Sequence, residues 1–103
     1  MKTFQDLVFQ SKNNGLDGTQ ATMDFPNGYG VSVITGFGAY GGEQGLYELA
    51  VVKGGVLCYD TPVTSDVVGY LSAGKVTELM QQVQELPAPA PATARGKEYN
   101  YSL

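Results

Sequence analysis

Residues 46–59 read LYELAVVKGGVLCY, and this stretch decides the fold. Its two apolar runs, 46–52 and 56–59, flank Lys53-Gly54-Gly55 almost symmetrically. Short runs rich in valine, leucine and tyrosine on either side of a glycine turn are typical of a β-hairpin. We therefore predict that the chain reverses at this turn and pairs with itself.

The segment before this hairpin shows a related pattern. Residues 20–25, QATMDF, alternate apolar and polar side chains, which is the period of a half-buried strand. Residues 26–28, PNG, combine a proline that fixes φ with two residues that tolerate positive φ. We predict a turn there, followed by a strand with Tyr29, Val31 and Val33 on one face.

The glycine-rich loop between the two hairpins has two interpretations. Residues 36–41, GFGAYG, match the dinucleotide-binding pattern G-x-G-x-x-G, and Asp60 follows nineteen residues later. That mechanism requires a helix directly after the glycines, because the amides of its first turn bind the pyrophosphate. Residues 42–53 carry two further glycines, two valines and an alternating pattern, so the hairpin explains them better. We predict a long β-loop that displays Phe37 and Tyr40 at its tip.

The N-terminal run FQDLVF, residues 4–9, also has two interpretations. Thr3 and Asp6 form a capping-box pattern, and the apolar residues of the run fall at helical spacing. The run is short, however, and ends in the turn cluster SKNNG, residues 11–15, which suits a hairpin. We therefore expect a strand over residues 4–9.

The sequence changes character after the second hairpin. Residues 60–62, DTP, interrupt the strand pattern, and residues 64–66, TSD, offer N-caps for a short helical turn over residues 67–71. Ser72 then caps the clearest helix of the chain, residues 73–86. The apolar side chains of that helix form one stripe: Val76, Leu79, Met80, Val83 and Leu86. Such a stripe predicts that the helix packs against the sheet.

The C-terminal residues 87–103 read PAPAPATARGKEYNYSL, a composition that cannot continue a helix. We assign residues 1–86 to a single domain and residues 87–103 to a Pro/Ala-rich tail. The tail is either a disordered terminus or an arm that docks on a partner or a second subunit through Tyr99, Tyr101 and Leu103.

The length and the order of these segments define a fold class. A chain of 103 residues has the usual size of one domain. We predict an α+β fold, in which an antiparallel meander sheet of about four or five strands is packed on one face by the C-terminal amphipathic helix.

Composition excludes several kinds of chemistry. The chain has no histidine and one cysteine, Cys58. Catalysis by a serine–histidine or cysteine–histidine pair is therefore excluded, as is a structural zinc site, and we expect no metal and no cofactor. Without a base to activate it, Cys58 fits a small buried apolar side chain.

A net charge of −4 gives no basic surface for nucleic acid or an anionic membrane. The lone cysteine and the lack of a long apolar run favour the cytoplasm.

The candidate binding residues lie in the glycine loop and in the segments that follow it: Phe37, Tyr40, Glu43, Tyr47 and Asp60. Exposed aromatic side chains on a loop suit protein binding, and an exposed edge of the sheet is the other surface that could bind a partner. A catalytic alternative would bring carboxylates together at one edge of the sheet: Glu43, Glu48, Asp60 and Asp66. Solvated turns and helix caps also explain these four acids.

Three segments, FPNGYGVSV, GLYELAVV and LCYDTPVTSDVVGYLSAGKVTELMQQVQEL, resemble in that order small uncharacterised proteins encoded by tailed bacteriophages. The resemblance covers residues 20–86, and YDTPVTSDVVGYL is its most specific part. It implies a setting, the cytoplasm of an infected bacterium, and it implies no catalytic residue.

Small phage accessory proteins often act by binding. The resemblance therefore implies a non-enzymatic protein that binds a host protein, as an inhibitor of a host or defence factor. The alternative is a sponge that sequesters a small nucleotide signal, for which the predicted domain offers few cations: Lys2, Lys12, Lys53 and Lys75. An unpaired edge strand also allows a homodimer.

Overall fold

The computed structural model describes residues 1–11, 18–36 and 44–88. The chain begins with a 3₁₀ helix at Phe4–Asp6. In the described residues the strands and the α-helix follow in this order: β1 Gln10–Ser11, β2 Gly18–Asp24, β3 Tyr29–Gly36, β4 Tyr47–Lys53, β5 Val56–Leu57, β6 Val68–Leu71 and α1 Ala73–Gln84.

The strands form one antiparallel sheet with α1 packed on one face. The strand order is β1-β2-β3-β4-β5, and β6 pairs with β4 as well. Side chains of α1 that face the sheet are completely buried: Val76, Met80 and Val83. They meet the inward-facing side chains of β3 and β4, which are also completely buried: Val31, Val33, Leu49 and Val51. The predicted meander with its C-terminal helix is confirmed.

The hairpin of β2 and β3 turns at the predicted residues. Met23 pairs with Val31, so that alternate residues of both strands face α1. The Gly28 N–H donates to the Phe25 carbonyl at 3.0 Å, and Gly28 has a φ of 93°, where a side chain would be strained. This is the turn that the PNG sequence predicts.

The hairpin of β4 and β5 also matches its prediction. Lys53 pairs with Val56, which leaves a turn of only two residues between the strands. Gly54 and Gly55 have φ values of 60° and 82°, the left-handed pair that a type I′ turn requires. Since β4 is a strand, the glycine loop does not lead into the helix that a dinucleotide site needs. Phe37 and Tyr40 lie outside the described residues.

The expected helical turn over residues 67–71 is wrong, because Val68–Leu71 forms strand β6. Val68 pairs with Leu49 and Leu71 pairs with Tyr47, on the same edge of β4 that β5 occupies further along. Consecutive β-branched valines favour a strand, and pairing with β4 supplies the backbone hydrogen bonds that a helical turn would otherwise make.

β5 and β6 therefore act as one strand that is split in two. After β5, the Cys58 N–H still donates to the Val51 carbonyl at 2.8 Å. The chain then leaves the sheet over residues 59–67 and returns at Val68 opposite Leu49. We call residues 59–67 the excursion. Within it Val63 packs against the core and Thr64 is buried.

The strand expected over residues 4–9 is also wrong, because residues 4–6 form a 3₁₀ helix and β1 is confined to Gln10–Ser11. The capping box that the sequence suggested is present, with the Thr3 N–H donating to Asp6 Oδ2 at 2.8 Å. The Phe4 N–H also donates to Thr77 Oγ1 of α1 at 3.0 Å. Contact with α1 thus favours the helical alternative over the strand.

Both ends of α1 are capped by side chains. Ser72 Oγ accepts from the Lys75 N–H at 3.2 Å, as the sequence predicts. At the other end, Asn27 Nδ2 donates to the carbonyls of Val83 and Leu86 at 2.8 and 3.0 Å. Asn27 Oδ1 also accepts from the Tyr29 N–H at 3.1 Å. One side chain thus connects the turn between β2 and β3 to the end of α1.

Candidate functional site

Exposed apolar side chains concentrate on the edge of the sheet that β5 and β6 form. Of the six large hydrophobic residues exposed in the described part of the chain, four lie there: Val56, Leu57, Tyr59 and Tyr70. We call these four residues the apolar edge. Val56, Leu57 and Tyr70 are 68%, 54% and 62% exposed. Isolated exposed apolar residues are ordinary, but a group on one edge indicates a contact surface.

An open concavity of about 380 Å³ lies at the β5 end of the apolar edge. Its lining is continuous in sequence apart from the glycine turn: Lys53, Val56, Leu57, Cys58, Tyr59 and Asp60. The hairpin places these residues together, because Lys53 pairs with Val56 at the turn and Cys58 follows β5 directly. The concavity therefore joins apolar surface to one ammonium group, one carboxylate and one thiol.

Cys58 and Asp60 form a hydrogen-bonded pair in this concavity. Cys58 Sγ donates to Asp60 Oδ1 at 2.9 Å, and Cys58 is only 7% exposed. That hydrogen bond, and then burial, raise the pKa of the Cys58 thiol above its ordinary value. The same hydrogen bond lowers the pKa of the exposed Asp60 carboxyl. Cys58 is thus a buried, protonated side chain, in agreement with the sequence analysis, and Asp60 is an ionised one.

Replacing Asp60 with asparagine is expected to accelerate the alkylation of Cys58 by iodoacetamide in the folded protein. The amide carries no charge, so the pKa of the thiol falls and more thiolate, the reactive form, is present at pH 8. The pH–rate profile of alkylation should move to lower pH, while Asp24→Asn, on β2, should leave it unchanged. An unchanged pH–rate profile for Asp60→Asn would show that burial alone keeps the Cys58 thiol protonated.

The same pair gives a pH window for its own contribution to stability. Folding raises the pKa of Cys58, so this contribution is complete below 9.0, the ordinary value for cysteine, and is lost as the pH rises beyond it. Folding lowers the pKa of Asp60, so the contribution is also lost as the pH falls below 3.8, the ordinary value for aspartate.

Tyr70 occupies an unusual backbone conformation at the β6 end of the apolar edge. Its φ is 58°, and it is the only non-glycine residue with positive φ in the described part of the chain. The left-handed region costs an ordinary residue about 1–2 kcal/mol. Tyr70 lies where the pairing of β6 with β4 shifts register between the Leu49 and Tyr47 pairs. An extra residue in this β-bulge accounts for the conformation.

The structure separates the residues that the sequence grouped as binding residues. Phe37, Tyr40 and Glu43 lie outside the described residues. Asp60 lines the concavity, whereas Tyr47 is half-buried and packs edge-to-face against Phe4 and at a tilt against Phe9, with ring centroids 4.9 and 5.7 Å away. Tyr47 is on the face of the sheet that packs on α1, and Asp60 is at the edge.

The carboxylates of the catalytic alternative occupy different places. Glu48 of β4 pairs with Ile34, on the face opposite α1. Asp66 is exposed and accepts from the Val67 N–H at 2.7 Å. Glu43 lies outside the described residues. Over residues 1–11, 18–36 and 44–88, no group of three or more histidine, cysteine, aspartate or glutamate residues could hold a metal ion.

Sequence reasoning allowed an exposed sheet edge as a binding surface but did not identify the residues of the apolar edge. Val56, Leu57 and Tyr59 were assigned to a strand, and strand residues are usually counted as half-buried. The available signal was the order of the strands, because the last strand of a meander has a neighbour on one side only. Tyr70 gave no signal, since the segment around it was expected to be helical.

Comparison with known proteins identified no relative of this chain. The chain matches no protein-family model, no curated protein and no solved structure. Within the part of the chain that the structure describes, no helix has the length and apolar character that crossing a membrane requires.

Proposed function

We propose that the protein is a non-enzymatic accessory protein of a tailed bacteriophage that binds a host protein in the bacterial cytoplasm through the apolar edge. The observation that carries this proposal is the concentration of exposed apolar side chains on one edge of the sheet. Aromatic and large aliphatic residues are enriched in the central parts of protein interfaces. A sheet edge adds backbone donors and acceptors that a partner strand can use.

The chemistry of the concavity also supports binding rather than catalysis. The chain has no histidine, and Cys58 is held protonated by Asp60 and by burial. A protonated thiol is a poor nucleophile. The alternative of a nucleotide sponge needs cations that face a phosphate, and Lys53 shares the concavity with the ionised Asp60. Since a carboxylate repels phosphate, protein binding remains the function that this surface supports better.

A capture experiment with paired variants tests the proposal. A bait with a photo-crosslinking residue at position 57 should trap one bacterial protein in stoichiometric amount, and a crosslinker at position 8 should not. Val8 is the control, because it is exposed as well, at 72% against 54% for Leu57, and lies just before β1, on the other edge of the sheet. In a second experiment, a pull-down without a crosslinking residue, the double substitution Leu57→Ser with Tyr70→Ser should abolish capture of that protein. The substitution Val8→Ser should retain it.

The controls distinguish the edge from the glycine loop. The variants at Leu57, Tyr70 and Val8 should melt within a few degrees of the parent protein, since these side chains are exposed. A variant with Phe37→Ser and Tyr40→Ser tests the loop that the sequence singled out. Capture that survives the edge substitutions and disappears with the loop substitutions would contradict the proposed site. Stabilisation by a nucleotide with no captured protein would favour the sponge.

A further inference from the structure

We infer that Asn27 is a deamidation site, that the native structure blocks the reaction there, and that its product destabilises the folded protein. Asn27 directly precedes Gly28 in the turn between β2 and β3. Asparagine is chemically labile, and a following glycine has no side chain to shield the amide group from the next backbone nitrogen. This site does not involve the apolar edge, so it goes beyond the proposed function.

Deamidation at an Asn-Gly pair needs no enzyme, and its co-reactant is water. The Gly28 backbone nitrogen loses its proton and attacks Asn27 Cγ, so that a nitrogen–carbon bond forms and the bond from Cγ to Nδ2 breaks. Nδ2 takes up a proton and leaves as ammonia, and the product is a cyclic succinimide. Water then opens this ring at either carbonyl, which gives aspartate or isoaspartate at position 27 without any change of oxidation state.

The native structure holds both nitrogen atoms of this reaction in hydrogen bonds. The attacking group, the Gly28 N–H, donates to the Phe25 carbonyl at 3.0 Å. The leaving group, Asn27 Nδ2, donates to the carbonyls of Val83 and Leu86 at 2.8 and 3.0 Å. Ring closure brings Asn27 Cγ onto the Gly28 nitrogen, so these hydrogen bonds must break first. The reaction is therefore confined to molecules in which the turn has opened.

The products do not fit the contacts that asparagine makes. Asn27 Nδ2 also donates to the Gln84 carbonyl at 3.4 Å, so it serves three carbonyl oxygens at the end of α1. Aspartate replaces this donor with a charged acceptor, which repels these oxygens and the negative end of the helix dipole. Isoaspartate adds an atom to the backbone of the turn, where the Phe25 N–H donates to the Tyr29 carbonyl at 2.7 Å. Either product breaks the connection between the turn and α1.

Mass spectrometry of the incubated protein tests the protection. The native protein and the same chain unfolded in guanidinium chloride are kept at pH 8, and deamidation is located by fragmentation of the peptides. Asn27 should react about tenfold or more slowly in the native protein, because several hydrogen bonds must open first. Asn14, which also precedes a glycine, should react at a rate comparable to that of Asn27 in the unfolded chain. Equal rates at Asn27 in the native and the unfolded protein would overturn the inference.

The variant Asn27→Asp tests the consequence, because it carries one product of the reaction. Its urea midpoint should be lower than that of the parent protein. Gln82→Glu makes the same change from amide to carboxylate on the exposed side of α1, and it should melt within a few degrees of the parent. An Asn27→Asp variant as stable as the parent would overturn the inference.

The parent protein supplies a second measurement if Asn27→Asp does not fold. Samples kept unfolded for increasing times are returned to native buffer and titrated with urea. The fraction that unfolds at the parent's midpoint should fall in step with deamidation at Asn27. Asn14→Gln removes the other Asn-Gly pair and should leave this decline unchanged. A sample that is deamidated at Asn27 and keeps the parent's midpoint would contradict the inference, and host binding by the apolar edge would be unaffected by that result.

Discussion

Replacing Met80 with aspartate should abolish cooperative folding. Met80 lies at the centre of the α1 stripe and is 0% exposed, against the inward-facing valines of the sheet. Losing a buried methionine side chain costs about 2–5 kcal/mol, and burying a carboxylate without a partner adds several more. Domains of this kind are stable by roughly 5–15 kcal/mol, so the combined loss is large enough to unfold the protein.

Circular dichroism during thermal and urea denaturation measures this effect. Met80→Leu keeps the volume and the apolar character, so it should cost less than about 1.5 kcal/mol. Gln81→Asp places the same carboxylate on the exposed side of the same helix, and the protein should still melt cooperatively. If Met80→Asp melted like the parent protein, α1 could not be packed on the sheet as described.

Gly30→Ala should destabilise the sheet by about 1–3 kcal/mol, although alanine is the better residue for a regular strand. Gly30 pairs with Asp24 of β2 and with Val52 of β4, so it has a strand on either side. A Cβ at this position would overlap the Met23 carbonyl and lie only 2.8 Å from Asp24 Oδ1 and 3.1 Å from Asp24 Cα. The obstacle is backbone, which can give way only if β2 moves.

Gly74→Ala is the matched control, because it makes the same chemical change where there is room. At Gly74, in the first turn of α1, a Cβ would meet only Ser72 Oγ, at 3.9 Å. Alanine favours a helix over glycine by up to about 1 kcal/mol, so this variant should be as stable as the parent or more stable. Equal urea midpoints for the two variants would contradict the close approach of β2 to Gly30.

Periodicity and turn chemistry were sufficient for most of the fold. The alternation in residues 20–25, the PNG turn and the paired glycines after Lys53 each determine structure within a few residues of the chain. The stripe of α1 and its Ser72 cap are equally local. These elements could be predicted because their causes lie inside the segment itself.

The two wrong predictions have causes far away in the sequence. Residues 4–6 adopt a helical turn where the Phe4 N–H bonds to Thr77 of α1, and Val68 joins the sheet because the edge of β4 beyond β5 offers a partner. The local signals, a capping box at residues 3–6 and two consecutive valines at residues 67–68, allow the observed structures but do not select them without these contacts. The candidate site shows the same limit, since Asp60 was recognised from a turn signal, whereas the exposure of Leu57 and Tyr70 depends on strand order.

The split between β5 and β6 leaves the excursion outside the ladder of paired strands. The pairs Val52 with Leu57 and Leu49 with Val68 keep the ladder in place on either side of the excursion. An insertion into the excursion away from Val63 and Thr64, which pack into the core, is therefore expected to leave every strand in register.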